Sequence, residues 1–257
     1  MRLLLLAIPL AALTGPQVAV QQPASSPPLP SCVELSRAVT DLVRNDIRAR
    51  DWANLARYRD ANRALTSAPQ VVFMGDSITD TWQQTRFNFF QGKPYADRGI
   101  SGQTTPQMLV RFRPDVIDLK PKVVVILAGT NDIAGNTGVM TNEEIQNNLA
   151  SMSELAKAHG IRVVLASITP VSAYHVRPED TAPQTDRRPM QRIRAINEWI
   201  KRYAAENGHI YLDYFSAMVD DRGLLKAELS TDDLHPNAEG YKIMGPLAEG
   251  AIARALR

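Results

Sequence analysis

A single cysteine, Cys32, stands in a chain of 257 residues, so no intramolecular disulfide can form in any redox compartment. Histidine is almost as scarce. Its four positions form no Cys/His/carboxylate cluster with ligand spacing, and a metal site is not expected. Charge of one sign is lacking too: Lys and Arg number 29 against 27 Asp and Glu, for a net +2. The basic residues are scattered, which gives no support to a nucleic-acid partner. Nor is there an apolar run long enough to cross a bilayer as a helix, since Leu3–Leu13 is too short for stable membrane insertion. What is present is 44% hydrophobic residues, enough to bury one substantial core.

The amino terminus reads as a separate segment. Met1-Arg2 gives a short positive start, Leu3–Leu13 follows, and Pro16–Pro30 is rich in Pro, Gln, Ser and Ala. This pattern predicts a signal peptide over about 1–19 and a flexible linker over 20–32, hence an exported, periplasmic or secreted protein. Leu29-Pro30-Ser31-Cys32 lies too far from the apolar stretch for lipoprotein anchoring at Cys32 to be expected.

From residue 33 to 257 strand and helix patterns alternate. Strands are predicted at Val71–Met74, Tyr95–Ile100, Val123–Ala128, Arg162–Ser167 and His209–Asp213. The run Val123–Ala128 is apolar throughout, as a strand covered on both faces should be. Between strands, Thr141 and Glu144 form a capping box ahead of the apolar face Ile145, Leu149, Met152 and Ala156. Pro189 opens another helix with Ile193, Ile196, Ile200 and Tyr203 inward and Gly208 as its stop. A long helical segment is expected over Val33–Leu65, packed outside the sheet, and Pro246 should break or kink the last helix. Alternating βα units imply a parallel sheet with helices on both faces and ligands at the strands' carboxyl ends.

Every loop with chemistry-bearing residues leaves a strand at that edge. Ser77 falls where an apolar strand turns into a helix, and a hydroxyl there needs a base to become a nucleophile. Among the histidines, His235 has a carboxylate at turn spacing, Asp232, and residues three apart share a face. Asp233 is then expected to face solvent or cap backbone, and Asp213, the competing orienter, to cap its own turn. The developing oxyanion requires fixed donors. Those on offer are the Ser77 and Gly102 backbone N–H groups and the Asn131 side-chain amide, with Asp76 and Asp132 holding loops. Tyr174 and His175, in the loop Pro170–Pro189, are candidates to shape the pocket. Trp82 and Phe89 are candidates to stack on a sugar, against the alternative that they belong to the core.

The blocks Gly75-Asp76-Ser77-Ile78, Gly99-Ile100-Ser101-Gly102, Gly129-Thr130-Asn131-Asp132 and Asp232-Asp233-Leu234-His235-Pro236 resemble, in order, those of the GDSL or SGNH hydrolases. The resemblance implies a flavodoxin-like three-layer α/β/α sandwich on a five-stranded parallel sheet. It implies a Ser77–His235–Asp232 triad, an oxyanion hole from Ser77, Gly102 and Asn131, and no cofactor. Gly102-Gln103-Thr104-Thr105 is most similar to the small-acyl branch, with platelet-activating-factor acetylhydrolase-like and carbohydrate-acetylesterase-like members. The function implied is a serine esterase acting on a small-molecule or carbohydrate ester. The alternatives are a thioesterase or lysophospholipase of the same family, or a non-catalytic carbohydrate-binding or scaffold protein on the same fold.

Overall fold

Residues 31–177 and 181–257 are described in the computed structural model of the chain. The expected signal segment and most of the linker lie outside them. The chain divides into two compact units, Met1–Arg44 and Asn45–Arg257. The second holds the sheet.

Helix α1 (Cys32–Arg50) ends where Asp51 turns the chain, its two carboxylate oxygens accepting from the Leu55 and Ala56 N–H groups at 2.8 and 2.9 Å. Asn54 follows with a left-handed φ of 55°, which a helix interior does not hold. The segment expected as one helix over Val33–Leu65 is therefore divided, with α2 confined to Arg59–Arg63. Val33, Leu35, Val39 and Leu42 of α1 are exposed.

Five strands, β1 (Val71–Gly75), β2 (Tyr95–Gly99), β3 (Val123–Leu127), β4 (Arg162–Ala166) and β5 (Ile210–Leu212), pair in parallel in the order β2-β1-β3-β4-β5. Alternate residues face opposite layers. Val72, Met74, Val124, Ile126 and Leu165 meet one layer, which contains α4 (Thr105–Asp115), α6 (Asn142–Ala158) and α8 (Met190–Asn207). Val71, Phe73, Val123, Val125 and Val164 meet the other, with α3 (Ser77–Trp82) and α10 (Ala238–Ala255). Short helices α5 (Thr130–Ile133), α7 (Gln184–Arg187) and α9 (Phe215–Met218) sit in connections.

The expected capping box at Thr141 and Glu144 is formed, and Ile145, Leu149, Met152 and Ala156 are buried. In α8, Ile193, Ile196 and Ile200 are buried, while Tyr203 packs at the core's margin. Pro246 does not break α10, which runs through it. The proline lies on the exposed face, as does Lys242, whose carbonyl it leaves without a helical donor on the solvent side, while Met244, Ala248 and Ala251 hold the inner face.

In this order β1 is followed outward by β2, and the chain then returns to place β3 on the other side of β1. The reversal opens a crevice between the carboxyl ends of β1 and β3. The loops leaving those two strands carry Ser77 and Asn131.

Candidate active site

At the end of β1, Asp76 caps α3 by accepting from the Ile78 N–H at 2.9 Å. α3 lies so close to the sheet that a Cβ on Gly99 would stand 2.1 Å from the Asp80 backbone nitrogen, which only glycine permits. This contact fixes the entry of the helix and with it Ser77. The His235 Nδ1–H donates to Asp232 Oδ2 at 2.6 Å, leaving Nε2 to accept from Ser77 Oγ at 2.9 Å. Asp232 Oδ1 accepts from the His235 and Leu234 N–H groups at 2.8 and 3.2 Å and from Ser230 Oγ at 3.1 Å. Burial would raise the Asp232 carboxyl, but bonds to the His235 ring and backbone outweigh it and hold the group well below the usual carboxylate range. It therefore faces the ring as an anion.

The second loop rests on Asp80, whose Oδ2 accepts from the Ser101 N–H and Oγ at 3.1 and 2.7 Å. Gly102 follows with φ of 80°. A Cβ there would meet nothing nearer than Asn136 Nδ2 at 3.9 Å. The glycine thus answers the left-handed backbone rather than a lack of room. Asn131, in α5, is 3% exposed. Its Nδ2 donates to the Gln103 carbonyl at 3.0 Å, and its Oδ1 accepts from Arg188 Nη2 at 3.2 Å. The amide orientation is fixed by these partners, and the second Nδ2 hydrogen remains for another acceptor. Asp132 holds the next loop, accepting from the Thr105 N–H and hydroxyl.

Ser77, Gly102, Asn131, Asp232 and His235 all line one cavity of about 760 Å³. Arg187 and Arg188 line it too. Arg188 is 2% exposed and also donates from Nε to the Thr130 carbonyl and hydroxyl at 3.2 and 3.0 Å. Burial, then the neighbouring Arg187, lower its guanidinium to about 10, with Asp76 and Asp232 opposing. In the sequence, Arg187-Arg188-Pro189 stands out only for its helix-opening proline. The one available signal was a pair of arginines directly before a helix in a site-facing loop.

Three expected pocket residues lie elsewhere. Trp82 is 2% exposed and stacked between Phe89 and Tyr241, at 4.0 and 5.2 Å between ring centroids. Its ring, like that of the buried Phe89, belongs to the core and has no face for a sugar. Tyr174 donates its hydroxyl to Asp220, and the His175 ring meets Asp233 Oδ1 at 3.1 Å. Their polar groups are occupied by carboxylates away from the cavity around Ser77. Asp233 itself is 2% exposed. It turns inward to cap backbone, not out to solvent. Asp213 caps the Ser216 N–H and hydroxyl at 2.9 and 2.7 Å. Among the described residues no group of His, Cys, Asp and Glu is placed to hold a metal, and no helix is long and apolar enough to cross a membrane.

A serine, an imidazole and a carboxylate in line at the switch point of a parallel α/β sheet define an acyl-transfer enzyme. The chain belongs to the GDSL-like Lipase/Acylhydrolase family, whose model matches residues 73–243, and it is a carboxylic ester hydrolase of that family. The crystal structure of a GDSL-like lipase from Bacteroides thetaiotaomicron is 42% identical, with a TM-score of 0.70, covering 79% of this chain and 98% of that one. Human platelet-activating factor acetylhydrolase IB subunit alpha2 is 26% identical over 188 residues, 70% of this chain and 75% of that protein. An uncharacterized lipoprotein of Bacillus subtilis, YqeF, is 39% identical over 77 residues, so the chain spans only 31% of that relative.

Proposed function

We propose that the protein is an exported serine esterase that removes short acyl groups, acetyl foremost, from polar alcohols. Ser77 is the nucleophile, His235 the base, Asp232 its orienter, and the Ser77 and Gly102 N–H groups with the Asn131 amide form the oxyanion hole. The observation that carries the mechanism is the unbroken chain from Asp232 through His235 to Ser77 Oγ at 2.6 and 2.9 Å. Ser77 Oγ attacks the ester carbonyl as its proton passes to His235 Nε2, and the resulting imidazolium is stabilised by the ionised Asp232. Collapse of the tetrahedral intermediate expels the alcohol, which takes that proton. Water then repeats the sequence on the acyl-serine, with His235 again as base.

The preference for short acyl groups rests on the walls. Arg187, Arg188, Asn131 and Asn136 face the cavity, and its apolar side comes from Phe87, Leu234, Pro236 and Ala238. A long hydrocarbon chain would have to lie against two guanidinium groups and two amides on one side of the cavity. The small-acyl activity in the human relative's name agrees with this. Nitrophenyl esters from acetate to palmitate, beside acetylated xylan, test the reading. Turnover should be greatest at acetate or butyrate, and an organophosphonate should label the wild-type protein but not Ser77→Ala. Preference for palmitate would overturn the acyl-length reading. Labelling of Ser77→Ala at the wild-type rate would overturn the mechanism.

A further inference from the structure

Next to the Ser77 cavity lies a second, of about 520 Å³, which shares Ser101, Gly102 and Asn136 with it and is otherwise lined by Asp51, Trp52, Asn54 and Gln107 among others. The shared residues form the rim beside the proposed oxyanion hole. A group leaving the acyl carbon in that direction enters the second cavity. Its wall is a built feature. Gln107 Nε2 donates to the Trp52 carbonyl and Gln103 Nε2 to the Ala53 carbonyl, each at 2.7 Å. Asp51 closes the turn through both carboxylate oxygens, and Asn54 holds it in the left-handed conformation. Two amides from the Gly102 side thus fix a turn whose Trp52 remains 44% exposed, while the neighbouring Ala53 is buried at 3%. An exposed indole on so constrained a backbone contributes little to the core, yet it is held in register with the site.

We propose that this cavity is the subsite for the alcohol moiety of the substrate, and that the alcohol is a sugar ring stacked on Trp52. The inference deepens the esterase reading and rests on it. An aromatic face flanked by amides, hydroxyls and a carboxylate, Asp51, whose two oxygens already accept from the Leu55 and Ala56 N–H groups, suits a pyranose, whose C–H face stacks while its hydroxyls meet donors and acceptors. Asn54, Asn136 and Thr137 supply such groups here. A quaternary ammonium head group, the other ligand that favours an indole, requires several aromatic walls. Trp52 is the only aromatic among the lining residues.

The test compares kcat/KM for acetylated xylo-oligosaccharides with that for nitrophenyl acetate, which carries no sugar. In Trp52→Ala the ratio should fall about tenfold, through KM rather than kcat, the size expected for loss of one stacked ring. Trp52→Phe should restore most of it, which separates stacking from damage to the turn. Titration of the wild-type protein with deacetylated xylo-oligosaccharide should change indole fluorescence, and the change should vanish in Trp52→Ala. An unchanged ratio, or a loss confined to an acetylated choline phospholipid, would overturn the proposal. So would a wild-type enzyme that cleaves nitrophenyl acetate but no sugar ester, and in that case the esterase reading stands. Absence of both turnover and serine labelling would instead overturn the esterase reading itself.

Discussion

Asp232 and Asp233 are adjacent, and each holds an imidazole, yet only one of the two pairs reaches a serine through the ring. At Asp232 the order is carboxylate, imidazole, serine, with the ring in the middle. At Asp233 the same residue types assemble with the carboxylate in the middle: Oδ1 accepts from Ser172 Oγ at 2.5 Å and faces His175 Nδ1 at 3.1 Å. The backbone divides them, because Asp233 takes a φ of 65° and sends its side chain into the loop that Asp232 faces away from. Asp233 also accepts from the Tyr174 and His175 N–H groups at 3.0 and 2.8 Å. Composition is thus no guide to reactivity here. A serine bonded directly to an ionised aspartate lacks a base of suitable strength, whereas one bonded to an oriented imidazole has it.

The largest expected effect breaks the reactive member of the comparison. Ser77→Ala should reduce kcat on nitrophenyl acetate by at least about a thousandfold, with thermal stability nearly unchanged because the hydroxyl faces a cavity. By contrast, Ser172→Ala should leave turnover within about threefold. Equal losses in the two variants would mean that the order of the three groups does not matter.

Next in size is the orienter. Asp232→Asn leaves the ring without an anionic partner at Nδ1, and kcat should fall at least about a hundredfold. In Asp233→Asn the loss in kcat should stay below about tenfold. Its cost appears instead in stability: the new amide turns a donor toward the donors of the 172–175 loop, worth about 1–3 kcal/mol for a buried group left unpaired. Melting temperature should then fall by roughly 2–10 °C in a unit of this size. If Asp233→Asn proved the inactive variant while folded, the structural role given to that pair would be wrong.

These contrasts also mark how far the sequence could be read. β1, β3, β4 and β5 were legible as short, largely apolar runs beside turn residues, and all five strands end within a residue of expectation. The Asp232–His235 pair was legible because its geometry is local, three residues across one turn. Tyr174 and His175 suggested a pocket by residue type alone. Their partners, Asp220 and Asp233, lie 46 and 58 residues away, and no local pattern reports such distances. Trp82 was ambiguous for the same reason, since Phe89 and Tyr241 decide its burial. Arg188 and Trp52 were missed because neither sits in a block with a chemical spacing. Only the folded loops bring Arg188 to the Ser77 cavity and Trp52 to the cavity beside it.

The smallest expected effect concerns a third aspartate, one with no imidazole. Asp97, in β2, is 7% exposed and accepts from the Gly99 N–H at 2.7 Å through Oδ1, while Oδ2 has no partner among the described residues. Burial pushes its carboxyl up to about 7, with the Gly99 N–H, Arg98 and Arg111 opposing and Asp80 adding to the rise. At Asp233 burial also raises the carboxyl, but the Ser172 hydroxyl, the His175 ring and the loop N–H groups reverse the shift. The two aspartates therefore tilt stability in opposite directions with pH. Asp233 binds its proton less readily folded than unfolded, so its contribution is present above about pH 4 and is lost as pH falls through the folded value. Asp97 binds its proton more readily folded, so stability declines as pH rises from about 4 to 7 and the loss is complete above that. Asn at position 97 keeps the acceptor for Gly99 and, like the protonated acid, is neutral with its donor side at the unpartnered Oδ2 position. Asp97→Asn should accordingly raise the melting temperature by at least about 3 °C at pH 8 and by less than about 1 °C at pH 4. Scanning calorimetry at both values reads the difference, and a gain of equal size at pH 4 would show that the carboxyl is not held in the protonated form by burial.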